Sequence, residues 1–238
     1  MSTPVLNITR AHDGLPSLRT LQEVEWYVRA DGAALVKMDT GWGLAANPSS
    51  KVAVERVRVA LRHAGSPIPI MCGSFPQLTF YAGELARPVE RLFAEFAFSP
   101  RPITGVVSAT SACARKLAKN LGGEDLGLRL PASRTALSLC NHMATALTTP
   151  ALRYPGGEIV RSFDDAYALV GEAMARLDEA VPWVAIREKD CFVGNTHSTV
   201  VGLESRGRVK EIRPGDVSIR EVMEALQTLS PSEYCDWT

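Results

Sequence analysis

The stretch KMDTGWGLAANP, residues 37–48, decides how the fold is read. It sets a small polar turn, Asp39, Thr40 and Gly41 with Gly43 close behind, directly after the apolar run Ala33, Ala34, Leu35 and Val36. Four consecutive apolar residues bounded by turn signals suit a strand covered on both faces. Downstream, Ala53, Val57, Ala60 and Leu61 fall on one helical face and predict a helix over 52–61. The order is strand, turn, helix. Taken alone, the turn reads as a strand-to-helix link.

The same alternation continues along the chain. Residues 68–71 predict a short strand, and Ser74 with Gln77 has the spacing of a capping box opening a helix. Val89, Leu92, Phe93 and Phe96 predict a helix over 88–98. Strands are expected at 103–107 and 126–130, with a loop or short helix between them near 109–124 and an apolar helix over about 133–147. Ser162 and Asp165 open a helix whose face is Ala166, Leu169, Val170, Ala173 and Leu177. Late strands follow at 183–186, 198–203 and 209–212, and Ser218 with Glu221 caps the last helix. Interleaved strands and helices without a repeat predict an α/β fold with a twisted, mixed, largely buried sheet. No low-complexity linker divides the chain, so the expected organisation is one domain over 21–228, with extensions at 1–20 and 229–238.

Composition narrows the class. The chain has 238 residues, 46% hydrophobic and 22% charged, enough to bury one sizeable core. Lys plus Arg and Asp plus Glu both number 26, so no global field draws it to nucleic acid or an anionic membrane. A local basic groove remains compatible with that balance. The N-terminus lacks a basic start followed by a long apolar stretch, and no apolar run approaches the roughly 18 residues of a membrane span. The expectation is a soluble, cytoplasmic protein with no membrane partner. Five widely spaced cysteines fit reduced thiols better than a disulfide framework. Cys140 and His142 lack a second ligand pair, and read as a core cysteine and a polar helix position rather than a metal site.

Five polar turns draw attention together: DTGWG, LRHAGSP, GLRLP, LTTPALRYPGG, and HSTVVGL with IRPGD. Each offers hydroxyls, free backbone amides or an arginine, groups that bind phosphate or carboxylate. In order, KMDTGWGLAANP, ALRHAGSPIPI, FSPRPITGVV, GLRLP, TTPALRYPGG, STVVGL and IRPGD resemble the Sua5/YrdC/YciO family, which contains the threonylcarbamoyl-adenylate synthases. That family carries a PTDTVYGLGAN-like segment, then KxRP, RxP, SANxSG, STVVD and a final R-x-G. The resemblance covers residues from about 20 to 226.

The resemblance implies a YrdC-like α/β domain with a large concave basin. It also implies an adenylation: ATP, bicarbonate and threonine give threonylcarbamoyl-AMP and pyrophosphate, for later transfer to tRNA. Mg²⁺ is expected with the triphosphate, and no covalent nucleophile or catalytic residue is assigned. Position by position, Thr40, Arg129, Thr149 and Ser198 are expected at the amino acid. Arg62, Ser66 and Arg213 are expected at the nucleotide. Three readings follow: an enzyme making a carbamoyl-type adenylate on threonine or another amino acid, a non-catalytic binder of nucleotide or double-stranded RNA, and a paralogue whose motifs maintain the fold.

The chain departs from the family pattern at defined positions. The lysine of KxR is Ala60, the asparagine of SAN is Ala151, the tyrosine of the first motif is Trp42, and the aspartate of STVVD is Gly202. A hydrogen bond to a charged group is worth about 1.5–3 kcal/mol, so the lost lysine and amide bear on any phosphate site. Lys37 is either a substitute charge or a solvated strand-end lysine. Trp42 is either part of an altered substrate pocket or a plain wall.

Overall fold

The turn at residues 39–41 joins a strand to a strand. In the computed structural model, which describes residues 3–7, 15–61, 67–97, 101–148, 150–177, 180–189, 197–204 and 208–227, strand β2 (Ala33–Lys37) pairs antiparallel with β3 (Trp42–Ala45). Val36 faces Gly43 and Lys37 faces Trp42 across this hairpin, which is closed by Met38 N–H donating to the Gly41 carbonyl at 2.8 Å. The predicted strand-to-helix link is therefore corrected. Helix α2 (Lys51–Ala60) begins only after β3, capped by the Ser50 hydroxyl.

The strands form two mixed sheets rather than one. Strand β1 (Val5–Asn7) pairs parallel with β8 (Trp183–Arg187), which pairs parallel with β2, giving the order β1-β8-β2-β3. The second sheet runs β10 (Val209–Arg213), β9 (Thr199–Leu203), β5 (Ile103–Ser108), β6 (Asp125–Arg129), β4 (Ile70–Met71) and β7 (Leu147–Thr148). Helix α1 (Leu18–Arg29) precedes β2. Helices α3 (Phe75–Ala82) and α4 (Ala86–Phe96) lie between β4 and β5, α5 (Ala112–Asn120) between β5 and β6, and α6 (Arg134–Met143) between β6 and β7. Helix α7 (Phe163–Met174) leads to β8, and α8 (Ile219–Gln227) follows β10.

Strand β2 shows why AALV is apolar throughout. Side chains alternate across a strand. Ala33 and Leu35 enter the larger core with Trp42, Leu44, Val57 and Phe163, whereas Ala34 and Val36 enter a second core with Val24, Val28, Leu139 and Ile186. Both faces are covered, so no polar position is tolerated along it.

The two sheets meet along a seam between β3 and the chain just after β7. Trp42 N–H donates to the Val160 carbonyl at 3.0 Å, Leu152 N–H to the Trp42 carbonyl at 2.8 Å, and Thr148 N–H to the Ala46 carbonyl at 3.0 Å. Gly43 bridges Ala151, and a Cβ on it would sit 2.7 Å from the Pro150 carbonyl oxygen. A side chain there would force the seam apart. The glycine is set by close backbone approach rather than by an unusual backbone angle.

Several boundaries differ from expectation for local reasons. The helix expected over 133–147 stops at Met143, because Ala144 turns left-handed at φ 50° and the chain then enters β7. The helix opened by Ser162 ends at Met174, before Leu177. The Ser74 hydroxyl caps α3 as expected, but the Gln77 side chain accepts from Gly73 N–H at 2.8 Å instead of closing the box on Ser74. At α8 both arms of the box form: Ser218 N–H donates to Glu221 and Glu221 N–H to Ser218 Oγ. The expected tail at 229–238 lies outside the described residues.

Thr148 tests the seam. Its fully buried hydroxyl accepts from Ala46 N–H at 2.9 Å and donates to the Leu44 carbonyl at 3.0 Å. Thr148→Val keeps the shape and orphans both backbone groups. At about 1–3 kcal/mol for each unsatisfied buried group, chemical denaturation should show a loss of at least about 2 kcal/mol.

Candidate functional site

One face of the six-stranded sheet is open. Strand alternation sends Ile103 and Val107 of β5, Leu126 and Leu128 of β6, and Val201 and Leu203 of β9 into the core. Their neighbours Thr104 and Val106, Gly127 and Arg129, and Ser198 and Val200 face the other way and line a cavity of about 620 Å³. That size lies in the range of small-molecule sites. Small residues keep the floor low, and polar groups stand at its edge.

Among the described residues predicted for the site, Thr40, Arg129, Ser198 and Arg213 all line this one cavity. Arg62, Ser66 and Thr149 lie outside the described residues. Thr40 hangs from the β2–β3 hairpin and is 3% exposed; its carbonyl accepts from Arg161 Nε at 3.1 Å. Its hydroxyl has no hydrogen bond among the described residues. Ser198 precedes β9, and its hydroxyl meets Thr104 Oγ1 at 3.2 Å.

Arg129, at the end of β6, is 7% exposed and donates through Nη2 to Asp39 Oδ2 at 3.2 Å. The other oxygen of Asp39 accepts from Ser133 N–H at 2.9 Å, at the cap of α6. Arginine carries five donors, so one bond to Asp39 fixes the guanidinium and leaves most of the fork for a ligand.

Arg213 ends β10 and donates through Nη2 to the Ser198 carbonyl at 2.9 Å and to Ser198 Oγ at 3.0 Å. The spacing Arg213-Pro214-Gly215 explains how it gets there. A Cβ on Gly215 would lie 2.4 Å from the His197 carbonyl oxygen and from Thr199 N, so only glycine lets this loop press on the 197–199 backbone. Burial first, and then the charges of Arg153 and Arg129, pull the Arg213 pKa down from its usual value. Arg213, Arg153 and Arg129 converge here, and among the described residues neither Arg213 nor Arg153 forms an ion pair, although the Asp216 carboxylate acts on the neighbouring His197.

Sequence reasoning missed two residues of this edge. Arg153 Nη2 meets His197 Nδ1 at 3.3 Å, and both line the cavity. Burial, followed by Arg153 and Arg213, lowers the His197 pKa. The only signal was position: Arg153 stands two residues beyond Ala151, where the SANxSG pattern has its second serine, and His197 directly precedes Ser198.

Other expectations resolve away from the cavity. Lys37 Nζ donates to the Lys189 carbonyl at 3.3 Å and is not part of the cavity lining. It is a strand-end lysine. Trp42 is fully buried, stacks edge-on with Phe163 at 5.0 Å and donates through Nε1 to the Arg161 carbonyl, so it is core and not a pocket wall. Ala60 is buried in the larger core, whereas Ala151 lines the cavity. Cys140 is buried with its pKa pushed up to about 12, and burial also raises Cys72; both are inert thiols. His142 meets Glu25 Oε2 at 2.8 Å, joining α6 to α1.

A family model described as Telomere recombination, that of the Sua5/YciO/YrdC domain, matches residues 27–215. The chain belongs to the Sua5/YciO/YrdC family. Solved structures agree on the fold. Sua5 from P. abyssi in complex with L-threonine superposes with a TM-score of 0.73 at 20% identity, over 94% of this chain and 61% of that one. The chain thus spans less than two thirds of that relative. E. coli YciO gives 0.68 at 21% identity over 93% of this chain and 100% of that one. Full-length HypF in its phosphate- and nucleotide-bound form gives 0.60 at 19% identity, over 81% of this chain and 28% of that one. No curated protein sequence gives a significant match. No helix among the described residues is long and apolar enough to cross a membrane.

The Asp39 network yields a stability prediction. Asp39→Ala leaves the buried Arg129 charge unpaired and Ser133 N–H unsatisfied, and should remove about 3–5 kcal/mol in chemical denaturation. Asp39→Asn keeps an acceptor for Ser133 and should fall between the two.

Proposed function

We propose that the cavity forms a carbamoyl-type adenylate from ATP, bicarbonate and an amino acid, threonine or another, as a threonylcarbamoyl-AMP synthase-like nucleotidyltransferase. One observation carries this reading: Thr40, Arg129, Ser198 and Arg213, drawn from four separate parts of the chain, line a single cavity. The family includes enzymes, and two relatives of the same fold were solved with an amino acid and with phosphate and nucleotide respectively. Those are the ligand classes this chemistry requires.

The amino group adds to the bicarbonate carbon with loss of water, giving a carbamate. A carbamate oxygen then attacks the α-phosphorus of ATP; the bond to the bridging oxygen of the β-phosphate breaks and pyrophosphate leaves. No protein nucleophile is needed, so the work of the site is positioning and charge stabilisation. In this reading Arg129 and Ser198 hold the amino-acid carboxylate, with Thr40 and Thr149 at the same end. Arg213 takes the nucleotide, with Arg62 and Ser66. The adenylate would then serve transfer to tRNA.

Among the described residues no set of three His, Cys, Asp or Glu side chains could hold a metal ion. The polar cavity edge is rich in guanidinium and hydroxyl groups. In this reading Mg²⁺ would enter with the triphosphate, whose oxygens would hold it, and would supply charge neutralisation.

Ala60 and Ala151 in place of the family lysine and asparagine favour a second reading, a binder of nucleotide or double-stranded RNA without turnover. Pyrophosphate release separates the two. The enzyme reading predicts release from ATP that requires both bicarbonate and an amino acid, tested across a panel. Arg213→Ala should lower kcat/KM by at least about tenfold, the equivalent of about 1.4 kcal/mol. Nucleotide or RNA binding with no release would favour the binder.

A further inference from the structure

The arginines around the cavity differ in how they are held. Arg129 is tied to a carboxylate, Asp39, so the pair as a whole is near neutral. Arg213 and Arg153 are tied to neutral acceptors. Arg213 donates to the carbonyl and hydroxyl of Ser198, and Arg153 donates through Nη1 to the Gly157 carbonyl at 2.6 Å and meets His197 Nδ1 through Nη2. Neither forms an ion pair among the described residues. Both guanidinium groups are thus aimed by carbonyl, hydroxyl and imidazole acceptors.

Two guanidinium groups at one cavity edge, neither ion-paired among the described residues and with Asp216 acting on the neighbouring His197, favour an anion between or beside them. Burial is the main cause of the lowered Arg213 basicity, and Arg153 is the charge that adds most to it. Arg153 has only donors, so its 3.3 Å contact with His197 makes Nδ1 the acceptor. Burial and then Arg153 and Arg213 lower the ring's basicity, against an upward pull from Asp216. The opposite edge carries Glu124 and Asp125, which turn a polyanion toward the arginine side. A single carboxylate matches the near-neutral Arg129 pair. A polyphosphate, with several charges and many acceptor oxygens, matches Arg153 with Arg213.

We propose that Arg153 and Arg213 form a two-guanidinium clamp for the polyphosphate of the nucleotide, with His197 as the positioning residue that aims Arg153. The clamp rests on the adenylate reading for the identity of its ligand.

Binding measured by calorimetry tests it, with inorganic pyrophosphate, ATP and L-threonine as separate probes. The wild type is expected to bind pyrophosphate and ATP. Arg153→Ala should weaken both by about tenfold or more, with threonine binding and the thermal midpoint unchanged. Arg153→Lys, which keeps the charge and loses the fork, should fall between. His197→Ala should weaken pyrophosphate binding, and His197→Asn, which restores a neutral acceptor, should recover it. A wild type that binds neither pyrophosphate nor ATP would overturn the clamp, as would an Arg153→Ala protein that binds both normally or loses only threonine. A protein that binds pyrophosphate through Arg153 yet releases none from ATP would sink the adenylation reading and leave the clamp standing. Turnover with pyrophosphate binding indifferent to Arg153 would sink the clamp alone.

Discussion

The Asp39–Arg129 pair is the constraint around which the site is arranged. Asp39 belongs to the hairpin of the four-stranded sheet, Arg129 ends a strand of the six-stranded sheet, and Ser133 opens α6. Ser133 Oγ closes the loop by donating to the Lys37 carbonyl at 2.8 Å. Burying two charges is costly unless every polar atom finds a partner, and breaking such a pair costs more than never having had it. Here the carboxylate is shared between a guanidinium and the amide at a helix N-terminus, where the helix dipole also favours negative charge. The geometry permits little slack. Holding the hairpin against β6 is what suspends Thr40 over the open sheet face.

From that anchor a gradient of charge compensation runs across the cavity. At the Asp39 end the arginine is balanced. At the Arg213 end, Arg213 and Arg153 are braced by a hydroxyl, carbonyls and an imidazole, acceptors that orient a guanidinium without cancelling it. A protein with equal numbers of acidic and basic residues can therefore present a strongly cationic edge locally. The floor contributes by being low: Gly127, Thr104 and Val106 leave room where larger residues would fill the sheet face.

Much of this was legible in the sequence where a single physical rule governed the pattern. The run AALV gave a doubly covered strand because both of its faces are buried, and the order of short polar motifs gave the family and the basin. Strand β3 was not legible, because WGLA is short, contains a glycine and shows no alternation when every residue is buried. The division into two sheets rests on hydrogen-bond register between distant segments, which no local pattern encodes. The overlong helix before β7 followed apolar residues that continue past Ala144 into a strand. Arg153 and His197 were missed because each is a single polar residue on irregular chain, made informative only by the cavity they share. Trp42 and Lys37 misled in the opposite sense: departures from a motif drew notice, yet one is core and the other caps a carbonyl.

Under the proposed function, amino acid and nucleotide meet in this cavity with their charges sorted along its length. A crystal structure of the protein with a non-hydrolysable ATP analogue, Mg²⁺ and L-threonine tests it most directly. The polyphosphate is expected against Arg213 and Arg153, and the amino-acid carboxylate against Arg129 and Ser198. A nucleotide bound outside the cavity, or a polyphosphate lying at the Arg129 end, would contradict it.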